Sequence, residues 1–333
     1  TESDLRGLIS SFREGLELYQ TTLSSADAIS KVKSSNVEEP DQELLKISKL
    51  LFAHATKLGI VFKPQVSTNA AYKQMKETSA VFLLLISLIG QIKPDVYSEI
   101  FYIEVIETIK KIISSHILFL NEVEELDFNK PAGEDDDTKT TEGRLVSVGM
   151  IWDNCKALDE LVKGGKLGLL NKKLKESIGL IDDAISEFSE WVEDPTVVDD
   201  EDPFGLDSDF SDDEKEEKET PEIDPQTLEF AQKWLSKVKL VKLLISSLSK
   251  SLPSNNSQIS GKETDEVNSQ QNGIIEQVDE LLSTFFMNGS LFELKALSRT
   301  IEKQCLDIIE FVKGLNKQDE KKTQWLTIWS DKF

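Results

Sequence analysis

Cysteine and histidine are scarce in this chain, at two residues each among 333. Cys155 and Cys305 lie far apart, each inside an apolar periodic stretch. That spacing argues against a disulfide scaffold and for two small core side chains in a reducing compartment. His54 and His116 each sit beside a helical stripe. Neither belongs to an HExxH pattern or has a cysteine at metal-ligand spacing, so a polar place at a helix surface or edge is expected for both. No metal and no cofactor is expected. Long apolar runs are missing too. The longest, Ala80 to Ile89, is about half of the ~20 residues that a membrane-spanning helix needs, and it reads as a buried core helix. The acidic start, Thr1-Glu2-Ser3-Asp4, does not read as a secretory signal. A soluble, intracellular protein is expected.

Basic residues are outnumbered. Lys+Arg 38 against Asp+Glu 61 gives a net charge of -23, which disfavours nucleic acid because phosphate neutralisation needs an excess of cations. A lipid-binding helical module would need a basic face, which this balance makes improbable. Protein partners are expected, basic proteins among them. Catalytic patterns are equally thin, with no CxxC, GxSxG, GxGxxG or Walker sequence. Gly261-Lys262-Glu263-Thr264 looks like the end of a phosphate loop, but Asn256 stands where its first glycine belongs. The abundant carboxylates lie in solvated runs or on polar helix faces, without a pocket to separate their pKa values. The sequence does not read as an enzyme.

What is present is helical periodicity. Nine prolines, at 40, 64, 94, 131, 195, 203, 221, 225 and 253, all fall between periodic stretches, as the cost of proline inside a helix requires. One stripe runs through Leu5, Leu8, Phe12, Leu16, Tyr19 and Leu23, and the next through Leu44, Ile47, Leu51, Ala55, Leu58 and Phe62. A third helix runs from about Thr68 to Gly90, apolar all round in its second half and so expected to be the most buried of its bundle. A fourth carries Ile103, Ile106, Ile109, Ile113, Ile117 and Leu120. After a polar interval the pattern resumes with Leu145, Val148, Trp152, Cys155, Leu158 and Val162, and stops at Gly164-Gly165, an interhelical turn. Further stripes run from Leu167 to Val192, from Leu228 to Leu248, and from Ile274 to Leu315 with a break at Asn288-Gly289. The stretch from Pro253 to Gln271, rich in Ser, Asn and Gln, reads as loop.

No segment alternates with period two, so the expected class is all-α, as two antiparallel bundles of long helices. The expected domains are a four-helix bundle over 1–127, an acidic linker over 128–141, and a second bundle over 142–333. A disordered acidic loop over 194–224 interrupts the second. Residues 193–224 hold sixteen Asp and Glu against two Lys, a local charge of -14. Such a run repels itself and buries no core. Two features exceed a passive spacer. Phe204, Leu206 and Phe210 are apolar anchors within the acid, as in segments that fold onto a partner. Ser208 and Ser211 precede acidic residues and suit an acid-directed kinase, which would add about -1.5 to -2 charges per site.

Gly149-Met150-Ile151-Trp152-Asp153-Asn154-Cys155 resembles the G-x-x-W-x-x-C segment of the cyclin-D-binding protein family (GCIP). As in that family, a Lys- and Leu-rich helix, an acidic loop and a helix with interleaved lysines come next, here Lys233, Lys237, Lys239 and Lys242. Similarity at the level of motifs covers about residues 149 to 250, and Gly149, Trp152 and Cys155 are read as structural. The resemblance implies an all-helical, non-enzymatic interaction protein of cytoplasm and nucleus, whose relatives bind cell-cycle and signalling proteins, D-type cyclins among them. The function expected is therefore a regulator or adaptor in cell-cycle or signalling control, with a phosphorylatable acidic loop. The alternative is an acidic chaperone for histones or other basic proteins.

Overall fold

Proline opens three of the helices: Pro40, Pro94 and Pro225 each stand in a first helical turn, where the missing N–H costs no hydrogen bond. The computed structural model describes residues 1–34, 36–128, 138–196, 223–317 and 319–333, with the backbone alone over 138–145. Every regular element among the described residues is a helix, so the expected all-α class holds. Most of the expected acidic linker and acidic loop lies outside the described residues.

The chain divides into two compact units, Thr1–Leu169 with Ser260–Lys262, and Leu170–Ile259 with Glu263–Phe333. The first unit contains α1 (Glu2–Leu23), α2 (Ala26–Ser30), α3 (Pro40–Val61), α4 (Thr68–Ile89), α5 (Pro94–Tyr97) and α6 (Glu99–Glu124). Its remaining long helix is the first arm of α7 (Thr138–Glu193). That arm ends at Gly165, whose φ of 62° and ψ of -162° only glycine adopts readily. The turn expected at Gly164-Gly165 is present.

Side-chain bonds fix the helix directions in this unit. The Arg6 guanidinium donates to the carbonyls of Glu124 and Leu126, both at 2.9 Å, while Gln20 donates to Ser114 at 2.6 Å, so α1 and α6 are antiparallel. Ser48 donates to the Cys155 carbonyl at 2.8 Å, and the Trp152 indole donates to Thr56 at 3.1 Å. The first arm of α7 therefore runs antiparallel to α3. Asn154 donates to the Lys111 carbonyl at 3.2 Å and Ser147 to Glu122 at 2.6 Å, which sets the same arm antiparallel to α6. Phe12 meets Phe82 with ring centroids 5.7 Å apart, bringing α1 to α4. The result is a bundle of five long helices.

The boundary expected at 128–141 does not coincide with this division. Val148, Ile151, Cys155, Leu158, Val162 and Leu169 belong to one core with Leu5, Leu51, Phe82 and Ile113. Apolar burial, at roughly 1.5–3 kcal/mol for each large side chain, binds that arm to the helices before it. A second expectation fails at α4, whose C-terminal half leaves Leu83 and Leu84 exposed, so it is not apolar-packed all round.

The second unit contains the second arm of α7 from Leu170 on, α8 (Pro225–Ser251), a 3-10 turn at Asn256–Gln258, α9 (Gly261–Phe286) from Glu263 on, α10 (Leu291–Leu315) and α11 (Glu320–Lys332). The Trp329 indole donates to the Leu240 carbonyl at 2.7 Å and Lys322 to the Leu252 carbonyl at 3.0 Å, setting α11 antiparallel to α8. The loop expected over Pro253 to Gln271 is shorter than that, because α9 starts at Gly261. Thr264, Asn268 and Gln271 are buried in line with Val267, Ile274 and Val278, so polar residues extend the helical stripe.

Candidate functional site

The residues of the resembling motif knit α7 to α3. Trp152 stacks on Phe52, with centroids 5.8 Å apart and planes at 28°, while its N–H is held by Thr56. Cys155 is buried, and its carbonyl takes the Ser48 hydroxyl. Burial pushes the Cys155 thiol up to about 12, and the same cause raises Cys305 to about 12. Both thiols stay protonated and are poor nucleophiles. Gly149 plays no packing part, since a Cβ there would meet nothing within 4 Å. The close approach lies at Gly59, where a Cβ would stand 3.4 Å from Val148.

Beside this seam opens a groove of about 260 Å³, lined by Ser48, Lys49, Phe52, Cys155, Lys156 and Asp159. Its floor is the Phe52 ring and Cys155, and Lys156 Nζ lies 5.9 Å from the centre of that ring. Asp159 accepts from Lys163 at 2.8 Å through Oδ2. Its Oδ1 is buried and has no hydrogen-bond partner. The groove has an apolar floor and cationic side chains at its edge, and it offers binding chemistry.

Sequence reading finds Trp152 and Cys155 but misses Ser48, Lys49, Phe52, Lys156 and Asp159. Lys156 and Asp159 were within reach, since four-residue steps from Trp152 and Cys155 lead to them along one helix face. Lys49 and Phe52 come from a helix about a hundred residues earlier, and no local pattern announces that pairing.

Both histidines lie inside the first unit, contrary to the surface or edge position expected. His54 receives the Gln74 amide on Nδ1 at 2.9 Å, with Thr78 Oγ1 3.1 Å away. His116 places Nδ1 2.8 Å from the Ile112 carbonyl and its ring edge-on to Phe82 at 4.7 Å. Its Nε2 is buried without a partner. Burial lowers the pKa of His116 to about 4 and moves His54 in the same direction. Periodicity counts apolar residues only, and so places both rings too far out.

In the second unit, the stems of the acidic segment meet one aromatic cluster. The Trp191 indole donates to the Thr196 carbonyl at 2.7 Å, and Ile223 is buried on the other side. Phe188 and Phe230 approach Phe285 with centroid distances of 5.1 and 6.0 Å. Asp224 accepts from the backbone of Gln226 and caps α8. Phe204, Leu206, Ser208, Phe210 and Ser211 lie outside the described residues. Among those described, no helix is long and apolar enough to cross a membrane.

Relatives occur in two yeasts. An uncharacterized protein of Saccharomyces cerevisiae is 28% identical over 315 residues, covering 88% of this chain and 85% of its own. An uncharacterized protein of Schizosaccharomyces pombe is 24% identical over 249 residues, covering 73% and 71%. Residues 43–194 match the family model described as "Grap2 and cyclin-D-interacting, N-terminal". That match runs from α3 through α7 and includes every residue that lines the groove. The resemblance read from Gly149 to Cys155 is borne out, since residues 43–194 are similar to the Grap2 and cyclin-D-interacting (GCIP) family.

Proposed function

We propose that the protein is a non-enzymatic adaptor or negative regulator in cell-cycle or signalling control, acting through its helical surfaces and its acidic segment 194–224. The family match over 43–194 carries this reading, since the family's description is one of interaction with Grap2 and cyclin D. The groove supports it, because its chemistry is that of recognition. In this reading Phe204, Leu206 and Phe210 are anchors for a partner, and phosphorylation of Ser208 and Ser211 tunes their neighbourhood. It acts in cytoplasm and nucleus. The charge of -14 over residues 193–224 favours a second reading, an acidic chaperone for histones or other basic proteins.

Affinity purification from native extract with the full chain, a chain lacking 197–222, and Ser208→Ala/Ser211→Ala tests the reading. The adaptor reading expects deletion to remove a set of partners that resists high salt. A set consisting of basic proteins that salt releases favours the chaperone. Identical partners with and without 197–222 would remove the segment from the function.

A further inference from the structure

We infer that the groove between α3 and the first arm of α7 binds an acidic polypeptide segment of a partner protein, one that carries a single large apolar anchor. The inference rests on the reading of the chain as an interaction module, but not on the acidic segment. Two observations identify the occupant.

The first is the floor. Phe52 is only partly buried, although Trp152 stacks on it and Thr56 holds the Trp152 indole. An aromatic ring fixed in this way, beside about 260 Å³ of open groove, offers a preorganised seat for one aromatic or branched side chain. The second is charge. The chain as a whole carries -23, yet Lys49 and Lys156 line this groove against one carboxylate, Asp159. Asp159 is engaged by Lys163 at 2.8 Å, whereas Asp153 reaches Lys156 only at 4.0 Å. Lys49 and Lys156 are exposed and are left to meet carboxylates.

A polypeptide brings carboxylates and an apolar anchor together, whereas the net charge of -23 disfavours nucleic acid.

The test uses the full chain and a fluorescein-labelled synthetic peptide of aspartates and glutamates round one central phenylalanine, read by fluorescence polarisation. Saturable binding is expected. Lys49→Glu/Lys156→Glu should weaken it by about tenfold or more, and so should replacing the peptide's phenylalanine by alanine. Both lysines are exposed, so the double variant keeps the parent's circular dichroism and melting temperature. Phe52→Leu, which keeps an apolar floor without the ring, should weaken binding less than the charge reversal. Absence of saturable binding to the parent overturns the inference, as does binding indifferent to the charge reversal or to loss of the phenylalanine. Residues 197–222 are intact throughout, so this failure is distinct from one in the deletion experiment.

Discussion

The first unit buries two histidines between α3, α4 and α6, whereas the second buries the amides Asn268, Gln271 and Asn316 and contains no histidine at all. Asn316 is well served, donating to the carbonyls of Ser251 at 2.5 Å and Val312 at 3.1 Å. His116 keeps one ring nitrogen unpaired. Amides do not titrate, while a buried imidazole resists taking a proton because its cation has no water around it. Units of the same helical make-up thus answer differently to acid. They differ on the outside as well, with a lysine-edged groove on one and the stems of an acidic segment on the other.

The largest expected effect separates the two cores. Phe82 and Trp234 are both fully buried, one in each unit. Phe82→Ala and Trp234→Ala should each cost about 3–5 kcal/mol. Hydrogen exchange should show protection lost within Thr1–Leu169 for the first and within 170–333 for the second. Protection lost evenly across both would break the division into units.

Acid comes next. The folded unit keeps His116 neutral down to about 4, against 6.5 for a free imidazole. Between those values the unfolded chain binds the proton first, so stability is intact above about pH 6.5 and falls as pH drops toward 4. The loss is on the order of 3 kcal/mol. Thermal melts over this window should show it in the first unit, and His116→Phe should flatten the slope. A slope unchanged by that substitution would exonerate the ring.

Two smaller effects sharpen the seam. Gly165→Ala places a side chain at φ 62° and ψ -162°, for about 1–3 kcal/mol, seen as a lower denaturant midpoint. Ser48→Ala removes the bond to the Cys155 carbonyl and should cost about 1 kcal/mol in the same measurement.

Much of the fold is legible in the chain because proline and apolar spacing are local signals. Pro40 and Pro225 mark helix starts, Gly165 marks the turn, and Leu5, Phe12, Leu16 and Leu23 state one face of α1. The start of α9 is not legible, since Thr264, Asn268 and Gln271 look like loop until a buried face is known for them. The fifth helix of the first unit is not legible either: Val148 and Ile151 show that a face is buried, not against what. Half of the groove could be read from Trp152 and Cys155. The other half, Lys49 and Phe52, depends on which helices pair, and that is settled by packing over the whole unit rather than by any window of sequence.

One comparison bears most directly on the claim that the protein binds partners at two separate places. Quantitative affinity purification would set the full chain beside Lys49→Glu/Lys156→Glu and beside the chain lacking 197–222. Two different losses are expected, each variant dropping partners that the other retains. If both variants capture the same proteins as the parent, neither surface is the site of function.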